Sequence, residues 1–403
     1  MQSCKVWFVR QMLILLTIVA MASTGCDQIK SAVNGGKKTV TGDAQSSTPA
    51  PVLPTPGTPI QPPATTAPPS PEQLLKEFRS LKPDEITDTT LARVASRPES
   101  AAAITELEIQ SDQFTGHGIE LLATLENLTS LSLKCPSLRP EELSLLGHIT
   151  SLKTLAIRST KTNDDVVGAL IPLAELESLD LSMTPISPSA GAPLSRFTNL
   201  QVLNLDSTAA DDSTMAAITS LPIRNLSLNK TRISNASLAS IKKLESLESL
   251  EVAFCSVTGA GFQGYGSSGL KRLVVGETPF GLEGFIAIKG MKSLEELNVY
   301  NAGLVQHKSA NVFRTFPKLK MLNAGRNALT NEGMDVFFKG LRCLEELHLM
   351  HCNGITDQGL AALVGINTLK ILELQGTGCT ANGAQALKEK IPDCRIYTND
   401  VTL

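Results

Sequence analysis

Apolar residues recur along most of the chain in one short pattern. Each copy begins with an apolar residue and carries two more, three and five places later, as in Leu128-Thr-Ser-Leu131-Ser-Leu133. The first positions of the twelve copies are Ile104, Leu128, Leu152, Leu176, Leu200, Ile223, Leu247, Leu270, Leu294, Leu319, Leu344 and Leu369. Consecutive copies are 23 to 25 residues apart. Chance would not hold this phase over so many intervals, so the chain contains an internal repeat.

The spacing of apolar residues changes within each repeat. Alternation, which suits a short strand, gives way to steps of about three, which suit a helix, as at Leu138, Leu143, Leu146 and Ile149. Threonine or serine stands where several helices would begin, as an N-cap. These caps are Thr115, Ser234, Thr258, Thr330 and Thr356. One such unit cannot bury its apolar side alone, so the pattern predicts an α/β solenoid of stacked units.

The fullest unit runs Leu344-Glu-Glu-Leu347-His-Leu349-Met-His-Cys352-Asn-Gly-Ile355. It resembles the leucine-rich repeat family, in particular its cysteine-containing subtype, and the resemblance extends over about residues 104–392. It implies a right-handed horseshoe of about twelve repeats, with a parallel sheet on the concave side and helices on the convex side. Pro136 and Ala302 depart from the family pattern, so we expect local irregularity there.

The ninth position of most units holds a small side chain that carries a hydrogen-bond donor. These residues are Thr160, Thr184, Thr208, Thr231, Cys255, Thr278, Asn327, Cys352 and Thr377. Such a donor can satisfy backbone carbonyls where the chain leaves the strand, inside the solenoid. We therefore expect a structural ladder in which Cys255 and Cys352 have no chemical role. A disulfide between Cys379 and Cys394, which would act as a C-terminal staple by cross-linking the end of the array, is a further possibility that the sequence leaves undecided.

The ends of the chain differ from the repeats. Residues 1–25 have the form of a signal peptide, since the apolar run Met12–Ala22 is shorter than the ~20 residues of a spanning helix. We expect residues 26–70, which are rich in Ser, Thr and Pro, to form a disordered linker. We expect a helical N-terminal cap at 71–103, leucine-rich repeats at 104–393 and a C-terminal cap with a last short strand at 394–403.

Two cleavage sites compete in the leader. Ala20-Met-Ala22 suits ordinary signal peptidase, whereas Ser23-Thr-Gly-Cys26 resembles a bacterial lipobox whose cysteine is acylated. The second reading predicts an exported lipoprotein of a bacterial cell envelope, anchored in the membrane through Cys26. The first leaves a secreted or soluble periplasmic protein.

Charge and motifs exclude several functions. Lys and Arg number 36 against 39 Asp and Glu, so a basic surface for nucleic acid is missing. Gly259-Ala-Gly261-Phe-Gln-Gly264 matches a dinucleotide motif but lies in phase with the repeat. His348, His351 and Cys352 would point to opposite sides of the sheet, which disfavours a metal site. We expect no cofactor, no metal and no enzymatic activity.

The sequence favours a monomeric, non-enzymatic scaffold that binds a protein ligand and is displayed from a membrane on a flexible stalk. Outward or turn positions in units seven to eleven carry aromatic, Arg, Met and His side chains, of which the first three types are enriched at interface hot spots. The candidate partner-binding residues are Phe254, Tyr300, Arg326, His348, Met350 and His351. The alternatives are a structural envelope protein without a specific ligand and a ubiquitin-ligase adaptor.

Overall fold

A computed structural model describes residues 69–158, 161–304, 312–338 and 341–403. These residues form one sheet of thirteen parallel strands, each paired with its neighbours in chain order. The strands are β1 Glu106–Ile109, β2 Ser130–Leu133, β3 Thr154–Ile157, β4 Ser178–Asp180, β5 Val202–Asn204, β6 Asn225–Ser227, β7 Ser249–Glu251, β8 Arg272–Val274, β9 Glu296–Asn298, β10 Met321–Asn323, β11 Glu346–His348, β12 Ile371–Glu373 and β13 Arg395–Tyr397. The predicted α/β solenoid is confirmed. The proposed signal peptide, Cys26 and nearly all of the linker lie outside the described residues.

The register places equivalent residues of every unit side by side. Leu131 pairs with Leu155, and at the other end Leu347 pairs with Leu372. Because side chains alternate across a strand, an unbroken register keeps all the central leucines on one side of the sheet. Leu131, Leu155, Leu347 and Leu372 are almost completely buried, and the residues on either side of them in the strands face outward.

Short helices precede the first strand and return the chain from one strand to the next. The α-helices are α1 Pro71–Ser80, α2 Asp88–Ala95, α3 Pro98–Ala102, α4 Gly116–Leu122, α5 Pro140–Leu143, α6 Asp164–Ala169, α7 Gly191–Leu194, α8 Asp212–Ala217, α9 Asn235–Ile241, α10 Gly281–Ala287, α11 Asn331–Phe338, α12 Asp357–Leu360 and α13 Ala381–Lys388. The 3₁₀-helices are Ser144–His148, Pro188–Ala190, Gly259–Phe262, Tyr265–Ser267, Phe313–Thr315 and Ala361–Leu363. Among the described residues, no helix has the length and apolar character needed to cross a membrane.

The core between sheet and helices is continuous from residue 78 to residue 396. In the C-terminal half it contains a row of edge-to-face phenylalanines. The ring centroids of Phe262 and Phe280 are 5.2 Å apart, those of Phe280 and Phe285 5.1 Å, and those of Phe313 and Phe337 5.4 Å. Such pairs add about 0.5–1.5 kcal/mol each beyond the area they bury. The row therefore ties successive units together.

Both ends of the solenoid are covered. Helices α1 to α3 precede β1, with Leu91 and Val94 buried in the shared core, and the Gln110 amide donates to the Pro83 carbonyl at 2.8 Å. After β13 the chain folds back, and Ile396 and Leu403 exchange two backbone hydrogen bonds of 3.1 and 2.9 Å. Cys379 and Cys394 are free thiols, so the staple considered from the sequence is not formed.

A second set of contacts joins the helix starts of adjacent units. The side chain of an Asp or Asn in one unit, or in the helical segment before the first unit, accepts the amide hydrogen of the N-cap Ser or Thr in the next. In all six pairs it also forms a hydrogen bond with the hydroxyl. These pairs are Asp88–Thr115, Asp164–Ser187, Asp212–Ser234, Asn235–Thr258, Asn331–Thr356 and Asp357–Thr380. Each pair satisfies helix-terminal donors that lack an intrahelical partner, so caps also act as links between repeats.

Candidate binding surface

The chain turns in the same way at the end of most strands. Three residues after the last residue of the strand, the backbone is left-handed. Non-glycine residues with φ between 47° and 59° are Met183, Ser207, Lys230, Phe254, Glu277, Asn301, Arg326 and His351, and Gly376 follows at 69°. The strain of about 1–2 kcal/mol per residue is offset by a hydrogen bond to the next unit, such as Phe254 N–H to the Gly276 carbonyl at 3.1 Å. We call this row of residues the turn edge.

The buried side chain after each turn-edge residue bonds the backbone, except after Asn301, where Ala302 has no donor. The hydroxyls of Thr184, Thr208, Thr231, Thr278 and Thr377 each donate at 2.6 Å to the carbonyl three residues earlier. Asn327 Nδ2 donates to the Val299 and Ala324 carbonyls at 2.8 and 3.0 Å. Thr160 lies outside the described residues.

The two cysteines of this ladder also lie against backbone carbonyls, but against those of the preceding unit. Cys255 Sγ lies 3.0 Å from the Leu228 carbonyl oxygen, and Cys352 Sγ lies 3.4 Å from that of Ala324. Burial raises the pKa of both thiols, which disfavours the reactive thiolate. In the second unit the buried donor is Cys135, 3.8 Å from the Ile109 carbonyl, rather than a residue at the position of Pro136. That turn is one residue shorter.

Five of the six candidate partner-binding residues are accessible on one side of the sheet. Phe254 is 53% exposed, and Lys230 Nζ lies 5.1 Å from its ring centroid. Tyr300 and Met350 are half-buried, whereas Arg326 and His351 are exposed. We call the outward residues of the strands and the first two residues after each strand the sheet face. It includes Tyr300 and Met350, whereas Phe254, Arg326 and His351 lie on the adjoining turn edge.

Tyr300 stands between two glycines of the neighbouring units. A Cβ added at Gly325 would lie 3.0 Å from Tyr300 Cδ2, and one at Gly276 would lie 3.5 Å from Tyr300 Cβ. The ring therefore leans over a position without a side chain. His351 likewise fills the space that a side chain at Gly376 would need. Large side chains along this row are therefore separated by glycines. We call the glycine sites low positions, because they form shallow depressions between the protruding side chains.

The sixth candidate, His348, is not open to a partner. Its exposed fraction is 6%, and Nδ1 lies 2.6 Å from Glu373 Oε2 while Nε2 lies 3.8 Å from Glu346 Oε2. Burial by itself lowers the pKa of His348. The two carboxylates outweigh this effect and raise the pKa to about 9. At neutral pH the residue is an imidazolium held between two glutamates.

A similar arrangement lies on the strands before Tyr300. Arg272 pairs with Glu251 at 3.2 Å and with Glu296 on the other side. Asn229 Nδ2 continues the network, at 3.0 Å from Glu251 and 3.2 Å from Asp206. Burial, aided by the charge of Glu251, raises the pKa of Asp206 to about 6 although Ser227 and Asn229 donate hydrogen bonds to it.

The sequence reasoning missed this network and a further charge pattern. The residue two places before the central strand leucine alternates in sign from the sixth unit to the twelfth: Arg224, Glu248, Lys271, Glu295, Lys320, Glu345 and Lys370. Neighbours pair, as Lys271 with Glu248 at 2.8 Å and Lys320 with Glu295 at 2.7 Å. We call this row the charged rim. Aligning the repeats column by column would have revealed it.

The motifs examined for cofactor and metal chemistry have structural roles. A Cβ at Gly259 would meet the backbone of Gly284, and one at Gly261 would lie 2.6 Å from Asn235 Oδ1. These glycines give clearance between units. Over the described ranges, no group of three His, Cys, Asp or Glu side chains is arranged to hold a metal ion. His351 is exposed while Cys352 is buried, so the two do not converge.

Comparison with known proteins agrees with this architecture. A leucine-rich repeat family model matches residues 340–364. An internalin from Listeria monocytogenes is similar with a TM-score of 0.54 and 20% identity, covering 81% of this chain and 98% of its own. The structure of the Rad7 and Elc1 complex in yeast is similar with a TM-score of 0.52 and 17% identity. The match covers 81% of this chain and 87% of that chain. At these identities the likeness concerns the fold. The chain has the leucine-rich repeat fold, with thirteen parallel strands in a single sheet.

Proposed function

We propose that this protein is a non-enzymatic scaffold that binds a protein ligand on its sheet face and the adjoining turn edge. The observation that carries the proposal is the row of accessible large side chains in units seven to eleven: Phe254, Tyr300, Arg326, Met350 and His351. Residues of these types bury much area on binding and dominate interface energies. They lie on a sheet whose register is held by buried ladders, so they are presented on a rigid support. We also assign the repeats to the cysteine-containing subtype.

The size of the face suits a protein partner. Thirteen strands about 4.8 Å apart extend over roughly 60 Å, and a typical specific interface needs about 800 Å² from each partner. The pair Tyr300 and Met350 is separated by two strand spacings, or about 10 Å, with Gly325 between them. One loop or extended segment of a ligand would contact both side chains and enter the low position between them.

The test uses the chain as bait in an extract of the envelope fraction. Tyr300→Ala combined with Met350→Ala should reduce recovery of the captured protein at least tenfold while the melting temperature changes little, since both side chains are half-exposed. Lys242→Glu combined with Lys243→Glu, on the return segment after α9, is the matched control and should leave capture intact. Capture that survives the first pair and fails with the second would move the binding surface to the helical side. A chain that captures no protein would favour the alternative, a structural envelope protein.

We further propose that the protein is exported and anchored through a lipid on Cys26. The support is the sequence pattern of an eleven-residue apolar run followed by Ser-Thr-Gly-Cys and a proline-rich stretch. A polyproline-type linker of this length would hold the repeats several nanometres from the membrane, at ~3.1 Å per residue. Wild-type protein should incorporate labelled fatty acid and fractionate with membranes, whereas Cys26→Ser should do neither. Equal labelling of both would place cleavage after Ala22 instead.

A further inference from the structure

We infer that the ligand of the sheet face docks through an extended basic segment that runs across strands β7 to β12. This inference rests on the proposed function and names the chemistry of the partner. It follows from the distribution of charge over the sheet face and from the shape of the surface around Tyr300.

The middle of the sheet face carries an excess of carboxylates. From β5 to β12, the strands and the two residues after each contain five acidic side chains, at Asp206, Glu251, Glu296, Glu346 and Glu373. The same positions contain two basic side chains, at Arg272 and His348. No other charged side chain occurs at these described positions. The excess of negative charge therefore lies on the surface that the ligand would cover.

Both cations are already engaged within the face. Arg272 lies between Glu251 and Glu296, and His348 lies between Glu346 and Glu373. Each trio therefore has one carboxylate charge more than its cation neutralises. A basic side chain of a ligand would complete the pairing. An acidic side chain would face uncompensated carboxylates at close range and lose binding energy.

The flanks of the face do not attract a basic segment. The charged rim alternates and ends with one cation in excess, since Arg224, Lys271, Lys320 and Lys370 face Glu248, Glu295 and Glu345. On the turn edge, Arg326 pairs with Glu277 at 3.9 Å and Lys230 lies over the Phe254 ring. The negative charge is thus confined to the central columns, which directs a basic segment along the middle of the sheet.

The geometry between the two trios sets the spacing of the ligand. One trio is centred on β8 and the other between β11 and β12, about three and a half strand spacings away, or roughly 17 Å. An extended peptide advances about 3.3 Å per residue, so five residues span this distance. Tyr300 lies between the trios with Gly276 and Gly325 beside it, and these low positions leave room for an apolar side chain of the segment against the ring.

The test measures binding of defined peptides to the full chain. The probe is fluorescent Ser-Arg-Thr-Leu-Ser-Thr-Arg-Ser, with arginines five positions apart and a leucine between them. Its matched control replaces both arginines by glutamate. By fluorescence anisotropy at pH 7 and low salt, we expect the arginine peptide to bind at least tenfold more tightly. The difference should shrink at 0.5 M salt, because screening weakens exposed charge pairs.

Variants of the chain locate the contact. Glu251→Gln and Glu296→Gln each remove one carboxylate charge and keep a hydrogen-bond acceptor. Each should weaken binding of the arginine peptide about fivefold or more. The exposed helix residue Glu332→Gln is the control and should have no effect. A circular dichroism melt of each variant verifies folding. Equal affinity for the two peptides, or no response to Glu251→Gln and Glu296→Gln in folded protein, overturns the inference.

The outcome is separable from that of the proposed function. If Tyr300→Ala with Met350→Ala abolishes capture of a protein from the envelope extract while the arginine peptide binds no better than the glutamate peptide, the scaffold function stands and the basic segment is wrong. If the arginine peptide binds as expected and the extract yields no protein, the charge inference holds and the envelope fraction is the wrong source of ligand.

Discussion

Asp212 and Ser234 are joined by two hydrogen bonds across the boundary between adjacent repeats. Asp212 Oδ1 accepts the Ser234 amide hydrogen at 2.8 Å, and Oδ2 accepts the Ser234 hydroxyl at 2.6 Å. The Ser237 amide adds a third bond at 3.0 Å. Burial acts to raise the pKa of Asp212, but these donors outweigh it and hold the pKa below its ordinary value. One carboxylate thus caps a helix in the next unit and links the two.

Removing this carboxylate should destabilise the solenoid. We expect Asp212→Ala to lower the free energy of unfolding by about 2–3 kcal/mol, because buried donors at the start of the next helix lose their acceptor. Asp165→Ala is the control, since Asp165 is exposed in the first turn of α6, and it should cost less than about 1 kcal/mol. Urea denaturation measures both. Equal losses would mean that the contact between units contributes nothing beyond the helix dipole.

Gly261 tests whether the glycine motif serves packing. An added Cβ would lie 2.5 Å from Leu238 Cδ1 and 2.6 Å from Asn235 Oδ1, so Gly261→Ala should cost about 1–3 kcal/mol. At Gly168, in α6, an added Cβ would meet nothing within 4 Å, and Gly168→Ala should stabilise by up to about 1 kcal/mol. Thermal melts of the two variants decide the matter. If Gly261→Ala is as stable as wild type, the clearance between units is not the reason for the glycine.

Asp206 should make stability depend on pH in the acidic range. Its pKa rises from 3.8 to about 6 on folding, so the folded state holds the proton more tightly. The contribution of Asp206 to the free energy of unfolding is therefore greatest below pH 4 and falls as pH rises to about 6. Above that pH it stays lower by about 2–3 kcal/mol. Asp206→Asn should be more stable than wild type at pH 7 and similar at pH 4. A difference that is constant across this range would contradict the assignment.

His348 should make stability depend on pH in the neutral to alkaline range. Its pKa rises from 6.5 to about 9 on folding, so its contribution is complete below pH 6.5 and is lost as pH increases to about 9. The expected loss is about 3 kcal/mol. His348→Gln keeps a donor for Glu373 and should remove this dependence. Denaturation at pH 6, 7.5 and 9 measures it, and parallel curves for wild type and variant would show that the imidazole does not titrate in this window.

The amino-acid sequence by itself determined the repeat, the alternation of strand and helix, and therefore the fold class. These follow from local periodicity: Leu131 and Leu133 must face the core wherever the unit lies, because side chains alternate along a strand. The positions of Thr184 and its equivalents could likewise be read from the period. That they donate to carbonyls three residues earlier is a fact of the structure.

Only the tertiary structure decided how outward residues of different units meet. From the sequence, His348 and Tyr300 were both candidate partner-binding residues at outward or turn positions. In the folded chain, parallel register places Glu373 directly beside His348 and a glycine on either side of the Tyr300 position, so the first is buried in an ion pair and the second stays accessible. Asp206 and Asn229, 23 residues apart, become hydrogen-bonded neighbours for the same reason. Contacts between repeats depend on the register and on the left-handed turns after each strand, and these are set by packing over the whole array rather than by any single unit.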